Sequence, residues 1–89
     1  MTERPWSLDF STHARRDLRR LDPQVRARVV IGLERVVANP GQAVGVRKLT
    51  GSEESRLRIG DWRVRFIRDE KERVIHVTRV LPRGRAYDR

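Results

Sequence analysis

The sequence contains no cysteine, which excludes disulfides, thiol catalysis and thiolate metal sites. Its two histidines, His13 and His76, lie far apart in the chain and argue against a zinc site, and no other feature calls for a metal or cofactor. No apolar run approaches the roughly 20 residues of a membrane span. The stretch from Met1 to Trp6 lacks the apolar region of a secretory signal, so a soluble, cytoplasmic protein is expected. At 89 residues there is room for one small domain, 1–89, and none for a Rossmann pair or a TIM barrel. Hydrophobic residues make up only 37% of the chain. A domain of this size buries only about 60–65% of its unfolded surface, so the apolar residues must be used in strict register.

Acid is also scarce. Twelve Asp and Glu face 21 Lys and Arg, giving a net charge of +9. Lysine is nearly absent too, for only Lys48 and Lys71 are not arginine. A GC-rich codon table accounts for part of that preference but not for the net charge. Arginine presents a planar fork of donors matched to phosphate oxygens, and strongly basic small domains usually bind polyanions. The excess is concentrated late in the chain: Arg56 to Arg89 carries +6, Met1 to Ser55 only +3.

What remains is well patterned. Trp6-Ser7-Leu8-Asp9-Phe10 alternates as a short strand. Ser11 or Thr12 caps a short helix in which Ala14, Leu18 and Leu21 form the apolar stripe. Asp22 caps and Pro23 opens a second helix, with Val25, Val29, Leu33 and Val36 on one face and Asn39-Pro40-Gly41 as its stop. With so short a link, the helices form an antiparallel hairpin. Residues 41–54 read as a loop holding a short extended piece at Val46–Leu49. A meander follows: Arg56–Ile59, a two-residue turn at Gly60-Asp61, Trp62–Phe66, a polar turn over 69–72, and Val74–Leu81, which Pro82 ends. The order β-α-α-β-β-β gives an α+β fold, an antiparallel sheet with the N-terminal helical hairpin packed on one face. Where the first strand pairs is left open.

Side chains alternate faces along a strand. If Leu57 and Ile59 face the helices, Arg56 and Arg58 face away. If Trp62, Val64 and Phe66 point to the core, Arg63 and Arg65 point outward. Four guanidinium groups then share the open face, and Arg83 and Arg85 arrive from the tail. A single exposed arginine is ordinary solvation; this concentration reads as a phosphate-binding surface. His13 reads as a solvated or capping residue, and His76, sharing a face with Val74, Thr78 and Val80, as structural. Glu53 and Glu54 read as loop solvation, with a general base as the minor alternative. Tyr87 either covers an open core edge or stacks on or hydrogen-bonds a nucleotide.

Three stretches carry a resemblance: Leu49-Thr50-Gly51; Ser55-Arg56-Leu57-Arg58-Ile59-Gly60-Asp61-Trp62-Arg63-Val64; and Arg79-Val80-Leu81-Pro82-Arg83-Gly84-Arg85-Ala86-Tyr87. With the element order they resemble the RelE/ParE toxin superfamily of bacterial toxin–antitoxin modules, RelE-like branch. Members commonly read L-x-G, then R-x-R-x-G-D-Y-R-V-x-Y, then R-x-x-x-Y, and the match covers nearly the whole chain.

The resemblance implies an mRNA interferase that enters the ribosomal A site and cuts mRNA without metal. The 2′-hydroxyl of one nucleotide attacks the next phosphate, so RNA is required. Carried over by position, Arg56 and Arg58 fall on the basic strand residues near the scissile bond and Arg63 on the phosphate-binding arginine. Arg83 falls on the arginine of the tail, with Arg85 the alternative, and Tyr87 on the closing tyrosine that stacks with the codon. Arg65 and Arg85 are expected to bind RNA. Some members have lysine where Arg56 and Arg58 stand, and others a His or Glu near the tail; here Pro82 precedes Arg83. The base is then Glu53, Glu54 or Tyr87, or catalysis is mainly electrostatic. The implied partners are a cognate antitoxin, the ribosome and mRNA. A ParE-like toxin that inhibits DNA gyrase without nuclease chemistry, or a catalytically dead binding module, shares the fold.

Overall fold

The computed structural model describes residues 5–40, 45–49, 51 and 53–85. Strand β1 (Ser7–Phe10) leads into α1 (Thr12–Arg19) and α2 (Pro23–Ala38). Strands β2 (Val46–Lys48), β3 (Glu54–Ile59), β4 (Trp62–Asp69) and β5 (Val74–Pro82) follow, and a 3-10 turn, Arg83–Arg85, closes the described chain.

Both helices start where local chemistry dictates. Ser11 is the cap of α1: its hydroxyl accepts from the Ala14 N–H at 3.0 Å, satisfying a donor the helix leaves orphaned. Asp22 occupies the cap position of α2 but makes no side-chain capping bond, contrary to expectation; Pro23 at the first turn starts that helix. Arg26 of α2 then closes α1, donating through Nε to Leu18 O at 2.9 Å and through Nη2 to Leu21 O at 3.0 Å. A cation on the last carbonyls also meets the negative end of the helix dipole.

The five strands form one sheet in the order β1-β5-β4-β3-β2. The α+β fold with its helical hairpin is as the sequence implies, but the sheet is mixed: β1 runs parallel to β5, Ser7 opposite Val74 and Phe10 opposite Val77. Leu8 alternates equally well against any neighbour, so its own pattern holds no signal for that choice. The extended piece near Val46 is β2, antiparallel to β3. Gly60 takes φ +55° in the two-residue turn that sets Ile59 opposite Trp62, a conformation glycine adopts without a steric penalty.

One face of the sheet makes the core. Ala14 of α1, Leu21 of the link after it, and Val29, Leu33 and Val36 of α2 pack with Leu57, Val64, Phe66, Ile75, Val77 and Val80. Trp62 packs against this cluster, as its register implies. Helix α2 approaches β3 so closely that a Cβ on Gly32 would run into the Ile59 side chain.

Strand β5 breaks step once. Arg65 lies opposite Arg79 but Phe66 opposite Val77, so Thr78 is an extra, bulged residue. Parity therefore switches: Ile75 and Val77 face the core, and beyond the bulge so does Val80. His76 and Val80 do not share a face, a correction to the simple alternation. Past the end of β1, α1 covers this edge of β5. The Ser11 hydroxyl donates to Thr78 O at 2.9 Å, and Asp17 Oδ2 accepts from the Val80 N–H at 2.8 Å.

Candidate nucleic-acid interface

Residues directly opposite on paired strands share a face. Arg47 lies opposite Arg56, Arg56 opposite Arg65, and Arg65 opposite Arg79. A second row sets Arg58 opposite Arg63. The face turned away from the helices is thus crossed by two rows of guanidinium groups. Like charges directly opposite destabilise a sheet, so this arrangement is maintained against a cost.

Arg63 is the innermost. Its residue is only 7% exposed, and its Nη1 donates to the turn carbonyls of Gly60 at 2.9 Å and Trp62 at 3.0 Å. It faces away from the core as expected, yet it is buried rather than open. Burial, then the charges of Arg58, Arg56 and Arg83, lower its pKa from the ordinary guanidinium value, with Asp61 offsetting part of the effect. Four of the sequence-predicted residues, Arg56, Arg58, Arg63 and Arg83, therefore lie within one electrostatic neighbourhood. Arg83 is exposed, and its N–H donates to Asp61 O at 2.8 Å, pinning the 3-10 turn over the β3–β4 hairpin. Of Arg85 only the backbone is described, within that turn, and Tyr87 lies outside the described residues.

Arg65 is on the same face but committed elsewhere. Its Nη2 pairs with Glu54 Oε1, and the Thr78 hydroxyl donates to Glu54 Oε2 at 2.5 Å. Glu54 is not a loop residue: it opens β3 opposite Ile67, and its side chain is 16% exposed. Nothing in Glu53-Glu54-Ser55 alternates, so only the pairing with β4 reveals the strand. The bulge at Thr78 is what carries the hydroxyl to that carboxylate.

Two further residues escaped sequence reasoning. Arg47, exposed on β2, continues the first row to the edge of the sheet; the alternation of Val46 with Arg47 was its only signal. Arg79 turns to the β5 edge, where Nε meets Asp17 Oδ2 at 2.8 Å and Nη2 meets Oδ1 at 3.3 Å. Burial pushes the Asp17 carboxyl up, but the Arg79 and Val80 hydrogen bonds and the charges of Arg79 and Arg20 outweigh it and leave the pKa below 3.8. At the opposite end of the open face His76 stands between two acids, its Nδ1 3.2 Å from Asp9 and its Nε2 3.8 Å from Asp69.

A groove of about 1030 Å³ runs between α2 and β3. Ile31, Leu57 and Ile59 supply its apolar lining, and Arg28, Arg35 and Arg58 its cations. Ile31 is 48% exposed there, the one large hydrophobic side chain so exposed among the described residues. Among the described residues no helix is long and apolar enough to cross a membrane.

The family profile described as ParE toxin of the type II toxin–antitoxin system parDE matches residues 8–87. No curated protein sequence matches the chain. Among solved structures, the toxin–antitoxin complex RelBE2 of Mycobacterium tuberculosis superposes with a TM-score of 0.78 at 27% identity, covering 89% of this chain and 99% of that one. The archaeal RelE–RelB complex of Pyrococcus horikoshii gives 0.78 at 25% identity over 93% and 100% of the two chains. The isolated RelE toxin of E. coli gives 0.77 at 22% identity, covering 92% and 88%, a likeness of fold.

Proposed function

Since the chain belongs to the ParE toxin family of type II toxin–antitoxin systems, within the RelE/ParE superfamily, we propose that it is a toxin acting as a ribosome-dependent, metal-independent mRNA endonuclease in the cytoplasm. The observation that carries this reading is the buried Arg63 guanidinium with Arg56, Arg58 and Arg83 around it. Clustered like charge is unfavourable by itself and favourable once a phosphate is seated.

The chemistry follows from the groups at hand. The 2′-oxygen of one nucleotide bonds to the adjacent phosphorus and loses its proton, and the bond to the 5′-oxygen breaks. That oxygen takes up a proton, leaving a cyclic phosphate and a 5′-hydroxyl. Negative charge grows on the non-bridging oxygens in the transition state, where preplaced guanidinium donors are worth most. Arginine does not give up its proton in proteins, so these residues stabilise charge and do not act as the base. The Glu54 carboxylate is already engaged by Arg65 and Thr78. In this reading the cluster acts electrostatically, and Tyr87 and the ribosome orient the nucleotide for in-line attack.

The partner is an antitoxin, as in the RelB–RelE complexes this chain resembles. The α2–β3 groove, apolar at Ile31 and basic at Arg28, Arg35 and Arg58, suits an acidic amphipathic segment of it. Arg58 belongs both to the groove and to the guanidinium cluster, so such a segment masks part of the cationic face.

The family profile itself supports a second reading, a ParE-like toxin that inhibits DNA gyrase and cuts nothing. Inducing the chain in bacteria, with mRNA integrity and plasmid supercoiling followed in parallel, separates the two. Cleavage within translated messages is the expected result; lost supercoiling with intact mRNA overturns the nuclease reading.

A further inference from the structure

The cationic cluster contains an acid. Asp61 stands in the two-residue turn between Arg58 and Arg63, which lie opposite each other on β3 and β4. The backbone around it holds the cluster together. Arg63 Nη1 donates to the carbonyls of Gly60 at 2.9 Å and Trp62 at 3.0 Å, the two chain neighbours of Asp61. The carbonyl of Asp61 itself accepts from the Arg83 N–H at 2.8 Å. Asp61 is exposed, and among the described residues its carboxylate makes no hydrogen bond or ion pair, whereas Glu54 meets Arg65 and Asp17 meets Arg79. Its charge nonetheless acts on Arg63, against the effects of burial and of the neighbouring cations. A carboxylate beside a phosphate seat repels the phosphate, and Asn would serve such a turn without that cost. The charge itself therefore needs a reason.

We infer that Asp61 is the general base of the proposed cleavage, taking the proton of the attacking 2′-hydroxyl while Arg58, Arg63 and Arg83 hold the phosphate. This rests on the nuclease reading and adds the group that reading lacks, since arginine accepts no proton. The 2′-hydroxyl proton passes to a carboxylate oxygen of Asp61 as the 2′-oxygen bonds to phosphorus. The bond from phosphorus to the 5′-oxygen breaks with its electron pair on that oxygen, which takes a proton from water. Asp61 then returns its own proton to solvent. In an in-line displacement the base and the leaving group stand on opposite sides of the phosphorus, so Asp61 serves the attacking side alone. Its mount is rigid, because three hydrogen bonds pin the turn that carries it. Glu54, by contrast, lies four residues from Arg58 along β3, about 14 Å at about 3.4 Å per residue.

The test compares wild type, D61N and D61E on ribosome-bound mRNA. Were Asp61 only a turn residue, D61N would lose a repulsive charge, bind the phosphate more tightly and cut at least as fast. As the base, its loss should lower kcat by about 10²–10⁴-fold while KM falls or stays the same. The pH dependence separates a base from a structural role. Carboxylates are ionised from neutral pH upward, so the wild-type rate should be flat between about pH 7 and 9. Without a base the reaction runs through the small ionised fraction of the 2′-hydroxyl, and the residual D61N rate should rise about tenfold per pH unit. D61E keeps a carboxylate and should keep the flat profile, with a rate above that of D61N. Undiminished kcat in D61N, or a slow D61N with the flat wild-type profile, overturns the assignment and leaves the nuclease reading standing. If wild type cuts no ribosome-bound mRNA, the nuclease reading fails and the assignment with it. Thermal melting of each variant confirms that the comparison is between folded proteins.

Discussion

Arg63 answers to two demands on one guanidinium. Its Nη1 closes the β3–β4 turn against Gly60 O and Trp62 O, and its charge sits among those of Arg58, Arg56 and Arg83. Truncation to alanine removes both the hydrogen bonds and the repulsion, and these act in opposite directions on stability. The melting temperature of Arg63→Ala is expected to stay within about 5 °C of wild type, a shift on the order of 1 kcal/mol in a domain this small. Cleavage of ribosome-bound mRNA should fall by about 10²–10³-fold, the usual loss when one preorganised transition-state donor is removed. A folded Arg63→Ala that cleaves at the wild-type rate removes this residue from the site. That Arg56, Arg58 and Arg63 gather on one face was legible from alternation alone, since Leu57 and Val64 have one place to go. The burial of Arg63 was not, because alternation gives the face a side chain leaves from and not that its guanidinium folds back on the Gly60 and Trp62 carbonyls.

At the scale of elements, the joint between α1 and β5 is the feature the sequence hid. Beyond Phe10 the edge of β5 has no strand beside it, and α1 takes over through Ser11 and Asp17. The Asp17 carboxylate accepts from both the Val80 N–H and the Arg79 guanidinium. Asp17→Ala leaves that N–H without its acceptor and should cost about 1–3 kcal/mol in urea unfolding at neutral pH. Because folding holds the Asp17 pKa below 3.8, its contribution is present above that value and lost as pH falls through the lower folded one. The stability gap between wild type and Asp17→Ala should therefore close in acid, and a gap that persists unchanged at low pH contradicts the assignment. Nothing in the apolar stripe of α1 singles out Asp17; its role depends on the bulge at Thr78, for which a run of β-branched residues gives no warning. Helix α2 and the β3–β4 hairpin were legible for the opposite reason. Their periods, the Pro23 start and the Gly60-Asp61 turn are all local.

Across the whole molecule, charge is separated rather than merely abundant. The sheet face carries cations toward β2 and acids toward β1, while the groove beside α2 combines apolar lining with Arg28, Arg35 and Arg58. Such separation suits the two partners proposed above, a polyanion on the cationic flank and an acidic protein segment in the groove. Net charge alone points to a polyanion partner as an expectation; which strands carry the cations needed the register. The account as a whole depends on the arginine cluster assisting attack by a 2′-hydroxyl. The most direct measurement presents the purified chain with ribosomes programmed by two messages, identical except for one 2′-deoxynucleotide at the position cut in the unmodified message. Cleavage of the first and none at that position in the second is the predicted result. Equal cleavage of both, or intact ribosome-bound mRNA in both, contradicts it.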